Sequence, residues 1–526
     1  MRRDVDGLDG TTQGSAYRPT LDHTRAPFAD ALQVLADSGM DRAAVPGHLA
    51  DPTRGIAAFF GPALTALDFP PLTDGLDTNP HGGPTPLGQA RALAADAWGA
   101  HTTWFLTGGA TQGNLATCLA LATFNPHPNL DTPGAKAAAR HGTTSIVVQR
   151  TMHSSVMDGL VLAGITPHVV MPHVDADLGM AHGLTPESLD KALASNPGAV
   201  AAYVVSPSYF GAVSDIAGLT EVAHRHQVPL IVDEAWGAHF GFHPDLPTNA
   251  LRLGADLVIS STHKLGGSLG QSAMLHLGNG KWATELGISI ERALRMITST
   301  SESSLLIASL DLARRDLVTG AERISASIEM VNQVRAALRE DTRYLLPNDD
   351  LTMDSAVVAV DPLRLVVDTR GTGLTGHEVR HRLFHDHAVQ IEMSTDAVIV
   401  AVIGAGSTVN AAALLAGLRA MPHGSRRELV VHALPSPGPR AVDLRTASFA
   451  DSQIIPASDA VGRVSADSLA AYPPGVPNLL PGEVITAETL SFLQSAAAAP
   501  HGFVRGAQDP TVRTLRVLTE GAYSVS

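Results

Sequence analysis

The chain has 526 residues, 44% of them apolar, which is enough to build more than one core and excludes wholesale disorder. It carries 51 acidic against 36 basic residues, a net charge of −15, which argues against a nucleic-acid or membrane-surface binder acting through basic patches. A single cysteine, Cys118, rules out an intramolecular disulfide framework and a cysteine-based zinc site, and it fits a reducing, cytoplasmic setting.

Residues 1–25 are polar and rich in Gly and Thr, and read as a flexible arm. Met1-Arg2-Arg3 is followed by Asp4 and Asp6 instead of an apolar run, so no targeting signal is expected. A segment over 26–85 holds a short helix pattern at Phe28–Leu35 and then Val45-Pro46-Gly47-His48. Residues 86–99 predict an Ala-rich helix with Gly99 near its C-cap.

From there to about 340 the chain alternates. Apolar, β-rich runs fall at Ser145–Gln149, His168–Met171, Ala199–Val205, Pro229–Asp233 and Asp256–Ser260. Helical patterns lie between them at 153–163, 186–195, 216–227 and 247–253, and a long helical stretch follows at 284–340. Continuous apolar strands alternating with helices predict an α/β fold with a mostly parallel sheet flanked by helices. A smaller α+β unit is expected over 341–440, from Arg364–Asp368, a helix at 376–386, Val389–Glu392, Ala397–Ile403 and a helix at 408–420. The uncharged run Ala397–Leu418 is long enough to span a bilayer, but Gly404–Asn410 interrupts it, and strand, turn, helix is the reading. A last domain covers 441–526.

Three segments carry chemistry. Leu106-Thr107-Gly108-Gly109-Ala110-Thr111-Gln112-Gly113-Asn114 follows an aromatic pair and opens a helical run. Small residues at a helix start expose backbone N–H groups that favour an anion, so this is a phosphate cradle or simply a tight turn. It is neither a Walker A loop nor a GxGxxG fingerprint. Leu230–Asp233, continuing as Glu234-Ala235-Trp236, ends an apolar strand in carboxylates. At such an edge an aspartate can bind a metal, act as a base, partner a cationic ring nitrogen or sit idle on the surface. Leu257–Ser260 runs into Ser261-Thr262-His263-Lys264.

The chain has only four lysines. Lys136 lies in an Ala/Gly-rich linker, Lys191 on an amphipathic helix and Lys281 after a turn, all ordinary surface settings. Lys264 alone follows a strand end beside hydroxyls and an imidazole, where partial desolvation lowers an amine's pKa and permits a Schiff base. A phosphate cradle, a strand-end aspartate and a lysine in this order are what pyridoxal 5'-phosphate needs. No metal site is expected.

With these segments in place, the chain resembles the Orn/Lys/Arg decarboxylases, fold-type I pyridoxal phosphate enzymes, in a compact form without a wing domain. The resemblance rests on Asp233–His243, Ser261-Thr262-His263-Lys264, Ser206-Pro207-Ser208-Tyr209-Phe210-Gly211, Ala460–Ala466, Tyr472–Pro477 and Pro481-Gly482-Glu483. It implies that Lys264 is the Schiff-base lysine, Asp233 the partner of the pyridine nitrogen and His153 the ring-stacking group. It also implies phosphate contacts from Gly109, Ala110, Thr111, Ser261 and His263, with Ala235 and Trp236 beside the ring. The implied reaction is α-decarboxylation of arginine, lysine or ornithine through an external aldimine and a quinonoid, with His263, Lys264 or His153 returning the proton. Another pyridoxal phosphate reaction, or a degenerate regulatory homologue, would use the same scaffold. The sequence departs from the family at Ser154, at Gly108-Gly109-Ala110 and at Ser301-Glu302, so Ser301, Glu302 and Glu392 become the candidate substrate contacts. A homodimer or larger homo-oligomer with the site at the subunit interface is also implied, with a small amino acid as the substrate and no nucleic-acid or membrane partner.

Overall fold

The structure, a computed structural model, describes residues 21–78, 83–126, 144–175, 177–428, 434–472, 476–498 and 502–521. Most of the predicted arm, the linker with Lys136 and Pro473-Pro474-Gly475 lie outside the described residues.

The described residues form seventeen strands, numbered in chain order. They are β1 (Thr102–Leu106), β2 (Ser145–Gln149), β3 (Thr166–Val170), β4 (Ala199–Val205), β5 (Ala212–Val213), β6 (Leu230–Asp233), β7 (Leu257–Ser260), β8 (Ala273–Leu277), β9 (Ala359–Val360), β10 (Arg364–Asp368), β11 (Met393–Ser394) and β12 (Val398–Val402). The remaining five are β13 (Ser452–Pro456), β14 (Leu469–Tyr472), β15 (Pro477–Leu479), β16 (Phe503–Arg505) and β17 (Thr514–Leu518).

The main sheet has the order β1-β8-β7-β6-β4-β2-β3. Strands β3, β2, β4, β6 and β7 pair in parallel, and β8 is inserted antiparallel between β7 and β1. Alternate residues of each strand go to opposite faces. Val147, Val232 and Val258 join Phe28, Trp98 and Leu219 in one core, whereas Ile146, Ile231 and Ile259 join Cys118, Val156 and Leu160 in the other. Both faces are therefore buried, which is why these strands read as unbroken apolar runs.

A second, antiparallel sheet, β10-β12-β11, packs with the helices Gly376–His387 and Ala411–Arg419. The C-terminal part contains β13-β17 and β15-β14-β16 around its own core, which includes Leu469, Leu479, Ile485 and Leu493. Arg150, just after β2, holds this part to the main sheet. Its Nη1 and Nη2 donate to Glu483 Oε1 and Oε2 at 2.7 and 2.9 Å, and its Nε donates to the Pro477 carbonyl at 2.6 Å.

The α/β, mostly parallel fold matches the sequence reading, and three details differ. Residues 247–253, predicted helical, form turns in which Ala250 N–H donates to Glu234 Oε1 at 2.9 Å. No strand forms at Val389–Glu392; the pairing shifts to β11, where Met393 and Ser394 meet Val400 and Ile399. The stretch 284–340 divides into the helices Ala283–Ile297, Ser304–Val318 and Ala321–Arg339, with Ser303 capping the second through its side chain. The uncharged run forms β12 and the helix Ala411–Arg419. No helix among the described residues is long and apolar enough to cross a membrane.

Candidate active site

In the parallel sheet, β4, β6 and β7 point their C-terminal ends the same way, and the connections that follow them enclose a cavity of about 280 Å³. Asp233 is the last residue of β6. Lys264 sits on a one-turn helix, Thr262–Leu265, directly after β7. From β1 the chain turns through Gly108 into the helix Gly109–Leu121, whose start no side chain caps. Its first N–H groups therefore lack helical partners, and Gly109, Ala110 and Thr111 line the cavity. Gly109 has φ +74°, and a Cβ there would stand 3.3 Å from the Gln271 carbonyl oxygen.

The structure brings together Lys264, Asp233, His153, His263, Ala235, Trp236, Gly109, Ala110, Thr111 and Ser261 on this one cavity. Lys264 Nζ lies 3.9 Å from the centroid of the Trp236 ring. Burial pushes the Lys264 pKa down to about 8, and Arg364 adds to that, against the pull of Asp233 and Glu392. His153 is the N-cap of the helix Ser154–Ala163. Its Nδ1 accepts from Ser155 N–H at 3.2 Å, so the neutral ring carries its proton on Nε2. The surrounding protein lowers its pKa by desolvation, with Lys264 and Arg505 acting in the same direction and Asp233 and Asp158 against. His263 Nδ1–H donates to the Ser272 carbonyl at 2.8 Å, which leaves Nε2 as an acceptor.

Asp233 is 4% exposed and held from three sides. Ala235 N–H donates to Oδ1 at 3.1 Å, while Asn114 Nδ2 and Tyr203 OH reach Oδ2 at 3.3 and 3.4 Å. Tyr203 OH also donates to Asn114 Oδ1 at 2.6 Å, and Asn114 Nδ2 donates to Ser155 Oγ at 3.0 Å. Sequence reasoning did not select Asn114, Tyr203 or Ser155. The available signal was a polar residue inside each of two apolar runs, Asn114 in a helix and Tyr203 in a strand.

Ser301 and Glu302 do not line the cavity. Glu302 Oε1 accepts from Thr107 Oγ1 at 2.8 Å, one residue before the phosphate-loop glycines, and burial raises its pKa. Glu392 is exposed, yet its charge acts on both Lys264 and Arg364, which places it near the cavity. Arg364, the first residue of β10, was also missed. It is fully buried, with its guanidinium 4.2 Å from the Trp236 ring centroid and Nε 3.6 Å from Asp361 Oδ2.

A sheet of this topology with a lysine and an aspartate at adjacent strand ends defines the fold-type I class. The Francisella novicida lysine decarboxylase superposes with a TM-score of 0.74 at 17% identity, covering 94% of this chain and 81% of that one. The constitutive lysine decarboxylase of Escherichia coli gives 0.72 at 20% identity, covering 95% and 82%.

Residues 26–409 match the family described as "Orn/Lys/Arg decarboxylase, major domain", and residues 444–504 match its C-terminal domain. The chain belongs to this family and is a decarboxylase. It is 34% identical to the arginine decarboxylase of Bacillus subtilis over 441 residues, which are 82% of this chain and 85% of that one. It is 33% identical to the arginine decarboxylase of Halalkalibacterium halodurans over 492 residues, covering 90% and 94%. The family implies pyridoxal phosphate, and the cavity fits it. A desolvated amine without a hydrogen-bond partner among the described residues, a buried carboxylate and an uncapped helix start all face one space.

Proposed function

We propose that the chain removes the α-carboxylate of a basic L-amino acid, with arginine as the first substrate to test, using pyridoxal phosphate held in the cavity described above. The observation that carries the proposal is the convergence of Lys264 and Asp233, from successive strand ends, on one cavity. The two arginine decarboxylase relatives support arginine.

When bound, the cofactor supplies an electron sink for the pair released as CO2 leaves. The protein's residues do the rest. With a pKa of about 8, Lys264 presents its free amine to the cofactor aldehyde far more often than an exposed lysine does. Asp233, fixed by Ala235, Asn114 and Tyr203, would pair with the pyridine nitrogen and favour its protonated form. The N–H groups at the start of the helix Gly109–Leu121, with the Ser261 hydroxyl beside them, would hold the phosphate. His153, which lines the same cavity, would stack on the cofactor's ring. Because His263 spends its Nδ1 proton on Ser272, the proton returned to Cα comes from Lys264 Nζ or His153 Nε2–H. Glu392 attracts the cationic end of the substrate.

The working unit is a homodimer or larger. Along residues 45–72, Val45, Leu49, Phe59, Phe60 and Leu72 are exposed, and these apolar side chains support a partner subunit on that face.

The test is the absorbance of cofactor-loaded wild type and Lys264→Ala, with arginine, lysine or ornithine added and CO2 trapped. A band at about 410–430 nm that needs Lys264, plus CO2 from one amino acid, is the expected result. A keto acid without CO2 would show transamination and overturn the proposed reaction.

A further inference from the structure

Arg364 opens β10, in the second sheet, and its side chain is fully buried. A buried guanidinium ordinarily settles two-pronged on a carboxylate. Here the neighbouring carboxylate, Asp361, is committed elsewhere. Its Oδ1 accepts from His239 Nε2 at 3.1 Å and from Leu363 N–H at 3.0 Å. Arg364 Nε stands 3.6 Å from the other oxygen, and neither Nε nor Nη2 has a hydrogen-bond partner among the described residues. Nη1 donates to the Tyr209 carbonyl at 3.4 Å.

The guanidinium lies on a ring instead. Its centre is 4.2 Å from the Trp236 ring centroid, and the Lys264 amine is 3.9 Å from that same centroid. Tyr209 meets the indole in a T-shaped contact, with centroids 5.4 Å apart. The chain leaves room for the arginine stem at Gly211, where a Cβ would stand 2.6 Å from Arg364 Cγ. The backbone of Arg364 is fixed as well, because Arg335 Nη2 and Asn348 Nδ2 donate to its carbonyl at 2.6 and 3.3 Å. Trp236 lines the catalytic cavity, whereas Arg364 does not. A residue of the second sheet thus reaches the lysine through one indole.

We infer that Arg364 is a positioning residue for Lys264: its guanidinium, stacked on Trp236, holds the ring on which the lysine amine stands and opposes a second positive charge there. The inference rests on the reading of Lys264 as the reactive amine. Two cations drawing on one indole weaken each other's contact with it, and like charges repel. Asp233 and Glu392 favour the ammonium form of Lys264, and Arg364 opposes it. His153 and Tyr209 line the cavity with the lysine, and His263 precedes it on the same helical turn. Arg364 is the fixed cation that the second sheet sets against this group.

The test is competitive amine labelling of the cofactor-free full chain with acetic anhydride across the pH range, with Lys264 read by mass spectrometry against the exposed Lys191. Arg364→Met is expected to raise the pH midpoint of Lys264 labelling and to slow it roughly threefold near neutral pH. Arg364→Lys keeps a cation over the ring and is expected to stay close to wild type. Should Arg364→Met misfold by circular dichroism because it strands Asp361, Arg364→Met/Asp361→Asn removes both charges and is expected to give the same shift. An unmoved midpoint in a folded variant overturns the inference. So does an equal rise in the Met and Lys variants, which is what a merely loosened and hydrated site would give. The labelling involves neither cofactor nor substrate, so its outcome is separate from the success or failure of the proposed reaction.

Discussion

Lys264 Nζ lies 3.9 Å from the centroid of the Trp236 ring and makes no hydrogen bond among the described residues. The contact stabilises the ammonium, but burial wins, and the pKa falls to about 8. The unfolded chain therefore holds more protons than the folded one from about pH 8 up to the ordinary lysine range, so this group's contribution to stability rises with pH through that window. Below about pH 8 the full cost of the buried lysine is present. In cofactor-free protein, Lys264→Met is expected to be more stable than wild type by roughly 2 kcal/mol at neutral pH, and the gain should vanish near pH 10.5. Urea unfolding of both proteins at several pH values checks this; a gain independent of pH would show that packing, not charge, sets it.

Asn114 joins Asp233, Tyr203 and Ser155, and so connects the carboxylate to the start of the His153 helix. Asn114→Leu leaves Tyr203 OH and one side of Asp233 without this partner in a buried place. A loss of about 1–3 kcal/mol in stability is expected, with weaker cofactor retention. Thermal unfolding and the cofactor absorbance after dialysis measure the two effects. Asn114→Asp, which keeps the shape but sets a second carboxylate beside Asp233, should retain even less cofactor.

Arg150 and Glu483 form a two-bond ion pair, with side chains 1% and 4% exposed, between the main sheet and the C-terminal part. Removing one partner strands a buried charge, so Glu483→Ala should cost about 3–5 kcal/mol. Arg150→Met/Glu483→Leu together should cost much less. A double-mutant cycle by urea denaturation decides, and equal losses in single and double variants would refute the argument.

His276 in β8 is fully buried between Thr103 Oγ1 at 2.9 Å and Ser260 Oγ at 3.0 Å, and burial lowers its pKa to about 3. As pH falls below the ordinary histidine range, the unfolded state takes up a proton that the folded state refuses. Stability is therefore lost on acidification, by about 2 kcal/mol at pH 5 from this group alone. His276→Gln should flatten the pH dependence between neutral and about pH 5 by that amount. Chemical denaturation of both proteins across this range is the measurement.

Much of the fold was legible in the sequence because the strands are buried on both faces. Ser145–Gln149, Ala199–Val205 and Arg364–Asp368 appear as strands with the predicted bounds. β8 escaped notice because the fourth of its five residues is His276, a polar residue that only its cross-strand hydroxyl partners make tolerable. Residues 247–253 look helical by composition, yet the buried Glu234 carboxylate captures the Ala250 N–H and turns take the helix's place.

By itself the sequence determined the alternation of strand and helix, the family and the candidate Lys264 and Asp233, because these lie in contiguous runs whose spacing one strand or one turn dictates. Only the tertiary structure decided which groups surround them. Asn114, Tyr203 and Arg364 come from three separate elements and meet at Asp233 and Trp236 through strand order and the packing of β10 beside the main sheet. The shifted pKa of Lys264 and the ring of His182, unpartnered among the described residues, are likewise set by what neighbouring elements withhold: water in one case, a hydrogen-bond partner in the other.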